Sequence, residues 1–419
     1  MPENGPVSGR RLRIAVVTSL YPNSAQPRHG IFVEERLRGL VDTGLVEARV
    51  IAPVPWFFSK HPRFGRYAQM ASVPRRETRY GIAVEHPRYV VVPKIGMTWV
   101  PATMASAVAP CLKRLRVEGF DFDLIDAHYV YPDGVAAARL AARFDRPLTI
   151  TARGADINQI AAMRTPRRQI LQAARRAGGL IAVSQALADG MRQLGLPDDR
   201  IHTLRNGVDL SRFSPRDRDR ARARLGFTGR VWLCVGHLIE RKGMHVALAA
   251  LSQMPDVMLV LVGDGPEEGA LRAQAERLGL SARVRFEGAV AHDDLPDYFS
   301  AADVLMHAAG SEGMPNVVLE ALACGCAVIA TPVGGIPEIM TGPPAGCLMA
   351  ARDAPAMLDC WRQLELSGVL DEQGRVARRS YAEQFGWAPT TEGQLAIFSR
   401  LTGVDLGARD AARPIVGGS

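Results

Sequence analysis

The chain has 419 residues, 47% hydrophobic and 22% charged, with a formal net charge of +8, a balance ordinary for a globular protein long enough for two domains. No apolar stretch reaches the roughly 18–20 residues that a transmembrane helix needs. Six cysteines are too few and too scattered for a disulfide framework and read as buried reduced thiols suited to a reducing cytoplasm, Cys324 and Cys326 among them.

The start of the chain does not read as a signal peptide. Its basic residues precede an apolar run of about seven residues, too short for that role and without a small-residue cleavage site. The charge is uneven: residues 1–208 carry 30 Lys+Arg against 17 Asp+Glu, and residues 209–419 carry 21 against 26. A basic half points to an anionic partner such as a membrane surface or a lipid phosphate, with an Arg-rich composition as the competing reading. Nucleic acid is set aside, because no nucleic-acid module accompanies the charge.

Short β-branched runs alternate with helical patterns. The expected strands are Leu12–Thr18, Ala48–Ala52, Tyr89–Val92, Leu124–Ala127, Leu148–Thr151, Leu180–Val183 and His202–Leu204. The expected helices between them are Ile31–Val41, Val100–Val117, Gly134–Arg143, Arg167–Ala177 and Ala186–Leu194. Asn206–Arg224, rich in Asp, Arg, Ser and Pro, reads as a linker. The alternation then restarts, with strands Val231–Val235, Val257–Val262, Val284–Phe286, Val304–His307 and Ala327–Ala330 and helices Met244–Gln253 and Pro266–Leu278. Continuous apolar strands between helices imply a parallel sheet covered on both faces, so the chain reads as two doubly wound α/β domains with a cleft between them. Asp371–Thr402 reads as helical. Trp56–Tyr80 interleaves aromatic with basic residues, which fits either a surface loop beside an anionic membrane or lipid-linked acceptor or a structured excursion over the first sheet.

The chemistry concentrates at strand ends. In Ser311–Ile339, Glu312 precedes a helix that Pro315 opens, and Glu320 lies inside that helix among apolar neighbours, so it needs a partner. The first-turn amides of Asn316, Val317 and Val318 make an anion site between the two carboxylates. In Val235–Leu248, Arg241 and Lys242 stand before another helix, where cations would meet a diphosphate leaving group. Gly30 precedes the first long helix, where a glycine lets backbone approach a phosphate. His128 follows the strand Leu124–Ala127. In the run TARGADI, Asp156 either acts near an acceptor or caps its turn.

The run from Glu312 to Glu320 resembles the E-x7-E segment of glycosyltransferase family 4. Arg205–Asp209 and Val260–Leu280 match that family too, and the resemblance spans about Ile14 to Phe398. It implies a GT-B fold: two Rossmann-like, doubly wound domains facing a central cleft, with an acceptor-side domain over 1–208 and a nucleotide-sugar domain over 209–385. A helix over 386–402 would cross back to the first domain, and 403–419 would form a flexible tail. It implies a retaining transferase, with a nucleotide diphosphate sugar as donor and a lipid-linked or saccharide acceptor in bacterial envelope or exopolysaccharide assembly. No metal or other cofactor is expected, and Asp121-Phe-Asp123 reads as a turn. The enzyme would be cytoplasmic, peripheral on the inner face of the membrane. By resemblance Glu312 holds the transferred sugar, Glu320 the ribose, and His128 and Asp156 stand near sugar and acceptor. Two positions depart from the family: His237 stands where an Arg is usual, and Arg153 where a His is usual. Arg241 is the candidate to supply the charge missing at His237. The competing classes are a sugar-nucleotide epimerase of the same fold and a non-catalytic nucleotide- or sugar-binding protein. A nicotinamide or flavin oxidoreductase is disfavoured, because no G-x-G-x-x-G follows the first strand.

Overall fold

Apolar runs bounded by helices give parallel sheets, and the computed structural model, which describes residues 10–91 and 96–406, contains one in each of two units. The first unit takes the chain up to Arg205 and again from Ala388 onward; the second is Asn206–Trp387.

The strands of the first unit are β1 (Leu12–Val17), β2 (Val46–Ile51), β3 (Val54–Pro55), β4 (Arg76–Arg79), β5 (Ile82–Glu85), β6 (Arg88–Tyr89), β7 (Leu124–His128), β8 (Leu148–Ala152), β9 (Gly179–Ala182) and β10 (Ile201–Thr203). Eight of them form one sheet in the order β10-β9-β8-β7-β1-β2-β5-β4. Every residue of β7, β8 and β9 is buried, as a sheet covered on both faces requires. Only β4 runs antiparallel to its neighbour, and its sequence, RETR, places charge on the sheet edge, where it discourages pairing with another chain. The short β3 and β6 pair apart from the main sheet. That pair replaces the expected strand Tyr89–Val92, of which Val92 lies outside the described residues.

The second unit contains β11 (Arg230–Val235), β12 (Val257–Val262), β13 (Val284–Gly288), β14 (Val304–His307), β15 (Ala327–Ala330) and β16 (Gly346–Leu348), in the order β13-β12-β11-β14-β15-β16 and all parallel. Its core packs Trp232 of β11 edge-to-face against Trp361, with ring centroids 5.4 Å apart and both side chains fully buried. Trp361 comes from the helix Ala354–Ser367, which Asp353 caps through the Ala356 amide.

Three expectations change, and one open alternative is decided. Asn206–Arg224 is more than a linker: Val208 bridges to Gly386, and Asp217 caps a helix over Arg218–Leu225. Asp371–Thr402 is two helices, Glu372–Ala382 and Ala388–Thr402, parted by the turn around Gly386. Trp56–Tyr80 is structured, with a 3-10 turn at Pro62–Phe64, a helix at Arg66–Ser72 and β4. Cys347 and Cys360 are joined as a disulfide, because the edge strand β16 lies against the helix carrying Cys360 and brings the two Cα atoms to 5.5 Å. Cys111, Cys234, Cys324 and Cys326 are buried free thiols, as expected. The expected tail over 403–419 lies outside the described residues beyond Leu406.

Replacing Trp361 with Ala should cost about 3–5 kcal/mol, the usual toll of a large buried aromatic. Urea unfolding followed by circular dichroism checks this; an unchanged midpoint would show that the Trp232–Trp361 contact does not carry the second core.

Candidate active site

A ligand on a doubly wound sheet binds beyond the carboxyl ends of the strands, where the strand order reverses direction. In the second unit that point lies between β11 and β14, and the loops leaving these two strands carry the predicted cations and the predicted carboxylate. Gly243 locks the loops together. Its φ is 76°, in the left-handed region, and a Cβ there would lie 1.9 Å from the Ala308 carbonyl oxygen. The Gly310 amide donates to the Arg241 carbonyl at 2.8 Å.

Glu312 gathers three basic side chains. Lys242 Nζ donates to its Oε1 at 2.6 Å, Arg241 lies 3.9 Å from its Oε2, and His307 Nε2 of β14 is 3.2 Å from Oε1. Burial works to raise the pKa of this carboxyl; the His307 contact and the Lys242 charge outweigh it and bring it down to about 2. Burial pushes the His307 pKa down, so His307 adds no charge at neutral pH. Arg241 also donates to the Ser311 carbonyl at 2.6 Å, a second tie between the loops. His237 is exposed, and its Nδ1 lies 2.6 Å from the Asp264 carbonyl oxygen.

Helix Asn316–Ala323 starts after Pro315. The Val318 amide is taken by the Pro315 carbonyl at 3.1 Å, because the first turn closes tightly. The expected three-amide anion site is thereby reduced to Asn316 and Val317. Asn316 Oδ1 accepts from Asn206 at 2.9 Å. Glu320 is buried and has the partner its apolar surroundings demand: His292 Nε2 at 3.4 Å, with Arg212 on the other imidazole nitrogen at 3.0 Å.

In the first unit the strand order reverses between β1 and β7. Thr18, just after β1, donates its hydroxyl to the His128 carbonyl at 3.1 Å, and Asp133 accepts from the amide and the hydroxyl of Ser19. Gly30, at φ 77°, precedes the helix Ile31–Asp42, and a Cβ there would lie 2.4 Å from the Leu20 carbonyl. Glycine is thus required by the chain's own close approach. His128 is 1% exposed; its Nε2 lies 3.1 Å from Asp126 and its Nδ1 2.7 Å from Arg153. Burial lowers its pKa to about 4, against the pull of Asp126 and with the help of Arg153. Arg153 also lies over the Phe32 ring, 4.9 Å from its centroid. Asp156 is fully buried, and its carboxyl accepts from the amides of Val130, Arg153, Gly154 and Ile157. This makes it the clamp of the β8 loop, the capping alternative among its two sequence readings. Asp121 pairs with Arg146 and Asp123 accepts from the Arg13 amide, so Asp121-Phe-Asp123 is a pinned turn. Among the described residues no three His, Cys, Asp or Glu side chains group as a metal site.

Sequence reasoning missed His307, His292, Asp126 and Asp133. Asp126 had a signal, a carboxylate inside an otherwise apolar strand, which must be partnered. His292 had none, since its partner is 28 residues away.

The comparisons with known proteins agree with one another. Residues 229–365 match the family model described as Glycosyl transferases group 1, and residues 66–212 match Glycosyltransferase Family 4. A Bacillus subtilis (strain 168) protein named as the teichuronic acid biosynthesis glycosyltransferase TuaC is 32% identical over 367 residues, covering 84% of this chain and 89% of that protein. Among solved structures, sucrose-phosphate synthase from Thermosynechococcus elongatus superposes with a TM-score of 0.77 at 19% identity, over 94% of this chain and 100% of that one. Anabaena HepE in complex with UDP-glucose gives 0.70 at 23% identity, over the same shares. These neighbours have the GT-B fold.

Burial raises the Asp133 pKa to about 7, although Ser19 donates to it. Its folded value lies above its unfolded one, so its contribution is full below the unfolded pKa and is lost as pH rises through about 7. Asp133→Asn should therefore gain thermal stability relative to wild type between pH 5 and pH 8. A difference in Tm that does not move with pH would refute the assignment.

Proposed function

The chain belongs to glycosyltransferase family 4, and from that premise we propose that it transfers a hexose or related sugar, with retention, from a nucleotide diphosphate sugar to a lipid-linked or saccharide acceptor in polysaccharide or envelope assembly. One observation carries this reading: Lys242 and Arg241 bring two positive charges to the single carboxylate of Glu312 at the reversal of the second sheet. The cluster keeps one cation in excess, the charge a departing diphosphate needs. Arg241 takes the place of the cation absent at His237. Glu312, ionised at any physiological pH, is an acceptor for sugar hydroxyls. Glu320 would take the ribose, and the Asn316 and Val317 amides a phosphate oxygen. The teichuronic acid biosynthesis in TuaC's name supports a polysaccharide setting, and the UDP-glucose complex of HepE supports a nucleotide-sugar donor.

Retention follows if the acceptor hydroxyl attacks on the face the leaving group departs from, passing its proton to the diphosphate. The C1–O bond to the diphosphate breaks as the bond to the acceptor oxygen forms. No protein nucleophile is needed; the enzyme's work is positioning and charge stabilisation. His128 and Arg153 stand for the sugar and acceptor side in the first unit, with Asp156 shaping their loop. With Lys242 and Arg241 supplying the charge, the reaction is read as metal-independent.

The basic first half also presents exposed aromatics, Trp56, Phe58, Tyr67 and Trp99. No helix among the described residues is long and apolar enough to cross a membrane. Peripheral binding to an anionic surface on the cytoplasmic side fits both facts.

A panel of UDP-, GDP- and ADP-sugars should identify one donor that is turned over. Glu312→Ala should reduce that turnover by about a hundredfold or more with the fold retained by circular dichroism; full activity would remove Glu312 from the site. NMR of the product should show the donor's anomeric configuration, inversion being the contrary result, and EDTA should leave the rate unchanged. Vesicles with anionic lipid should sediment the protein at low salt and release it at high salt; no binding at low salt would end the membrane reading.

A further inference from the structure

Five side chains of the first unit form one hydrogen-bonded line, and a sixth, Thr149, joins it at Asp126. Arg36, from the helix Ile31–Asp42, donates Nε to Gln394 Oε1 at 2.7 Å. Gln394, from the helix Ala388–Thr402, donates Nε2 to Asp126 Oδ2 at 3.1 Å. Thr149 donates its hydroxyl to the other oxygen of Asp126 at 2.7 Å. His128 Nε2 lies 3.1 Å from Asp126 Oδ2, and an Arg153 terminal nitrogen lies 2.7 Å from His128 Nδ1. Arg36, Gln394, Asp126 and His128 are each at most 1% exposed.

The donor and acceptor roles along this line admit one assignment. A guanidinium only donates, so Arg36 fixes the carbonyl end of the Gln394 amide toward itself and the NH2 end toward Asp126. A carboxylate only accepts, so the proton between His128 and Asp126 sits on Nε2. The Nδ1 lone pair then faces Arg153, again a pure donor. Burial works to raise the Asp126 pKa, and the donors around it prevail, so Asp126 stays ionised. The charged groups facing His128 are Asp126 on its own strand, Arg36 on the helix Ile31–Asp42 and Arg153 beyond β8.

We propose that Gln394 is a positioning residue for sugar transfer: acting through Asp126, it locks His128 as the neutral Nε2–H tautomer, and the free Nδ1 lone pair holds the guanidinium of Arg153 in place at the carboxyl edge of β8. Arg153 occupies a half-buried position there, stacked over Phe32, so the ring and the imidazole both orient its plane. The C-terminal helix thereby acts on the site through one amide. The inference rests on the reading of the β7 and β8 loops as the sugar and acceptor side.

The test uses the full chain labelled with 15N in histidine, with the His128 resonances assigned from a His128→Asn variant. Two-bond proton–nitrogen spectra should show His128 of the wild type as the Nε2–H tautomer, unchanged from pH 5 to pH 8. Gln394→Glu keeps the shape and adds a carboxylate beside Asp126, which favours the imidazolium, so its titration should move up by about one unit or more. Gln394→Leu removes one donor from Asp126 while Arg153 still faces Nδ1, so His128 should keep the Nε2–H tautomer but shift its ring resonances as Asp126 loses its fixed orientation. In both variants kcat should fall by about tenfold or more with the donor KM little changed. An Nδ1–H tautomer in the wild type overturns the proposal without any variant. So do spectra identical across the three proteins, and so does a shifted spectrum with unchanged kcat. Should the wild type turn over no donor, the transferase reading fails on that result, while the tautomer spectra still decide whether the lock exists.

Discussion

Parallel strands leave all their carboxyl ends on one edge of a sheet, and the loops leaving that edge must satisfy whatever charge they carry. In both units the dense chemistry sits where the winding reverses, beside β11 and β14 in one and beside β1 and β7 in the other. The reversal separates the two helices that would otherwise cover the strand ends, and two neighbouring loops are left to meet each other. In the second unit they meet as Lys242 and Arg241 against Glu312. In the first they meet as Ser19 against Asp133 and Thr18 against the His128 carbonyl.

The two units treat buried carboxylates in contrasting ways. Glu312 is surrounded by side-chain cations that a charged ligand can compete for. Asp156 is surrounded by backbone amides, which have fixed positions and no alternative partner. Ion pairing suits a residue that must exchange contacts, and amide donation suits one that must hold a loop's shape. This physical difference, rather than any likeness of motif, separates the residue we propose to touch substrate from the one that supports the backbone.

The strands were legible because burial on both faces leaves a continuous apolar run, as in Val257–Val262 and Val304–His307, which the structure reproduces to the residue. Elements without such a run were not legible. The charged edge strand β4, the three-residue β16 and the helix carrying Trp361 have no period that announces them. Glu312, Lys242 and Arg241 were legible as types of residue at strand ends, and their meeting follows from the parallel order of β11 and β14. The bond from Gln394 to Asp126 spans 268 residues and has no local signature. The pairing of Cys347 with Cys360 was likewise hidden, since it depends on how an edge strand lies against a helix.

The helix Ala388–Thr402 completes the first unit from the far side of the second in sequence. Leu395 and Phe398 join the apolar cluster of Leu12, Val33 and Leu37, and Gln394 reaches Asp126. During synthesis the first sheet therefore leaves the ribosome long before these residues do. Until they emerge, part of its apolar surface stays wet and Asp126 and Arg36 lack the amide that joins them. The first unit to be translated is thus the last to be finished, and the second has its whole sequence available to fold before it.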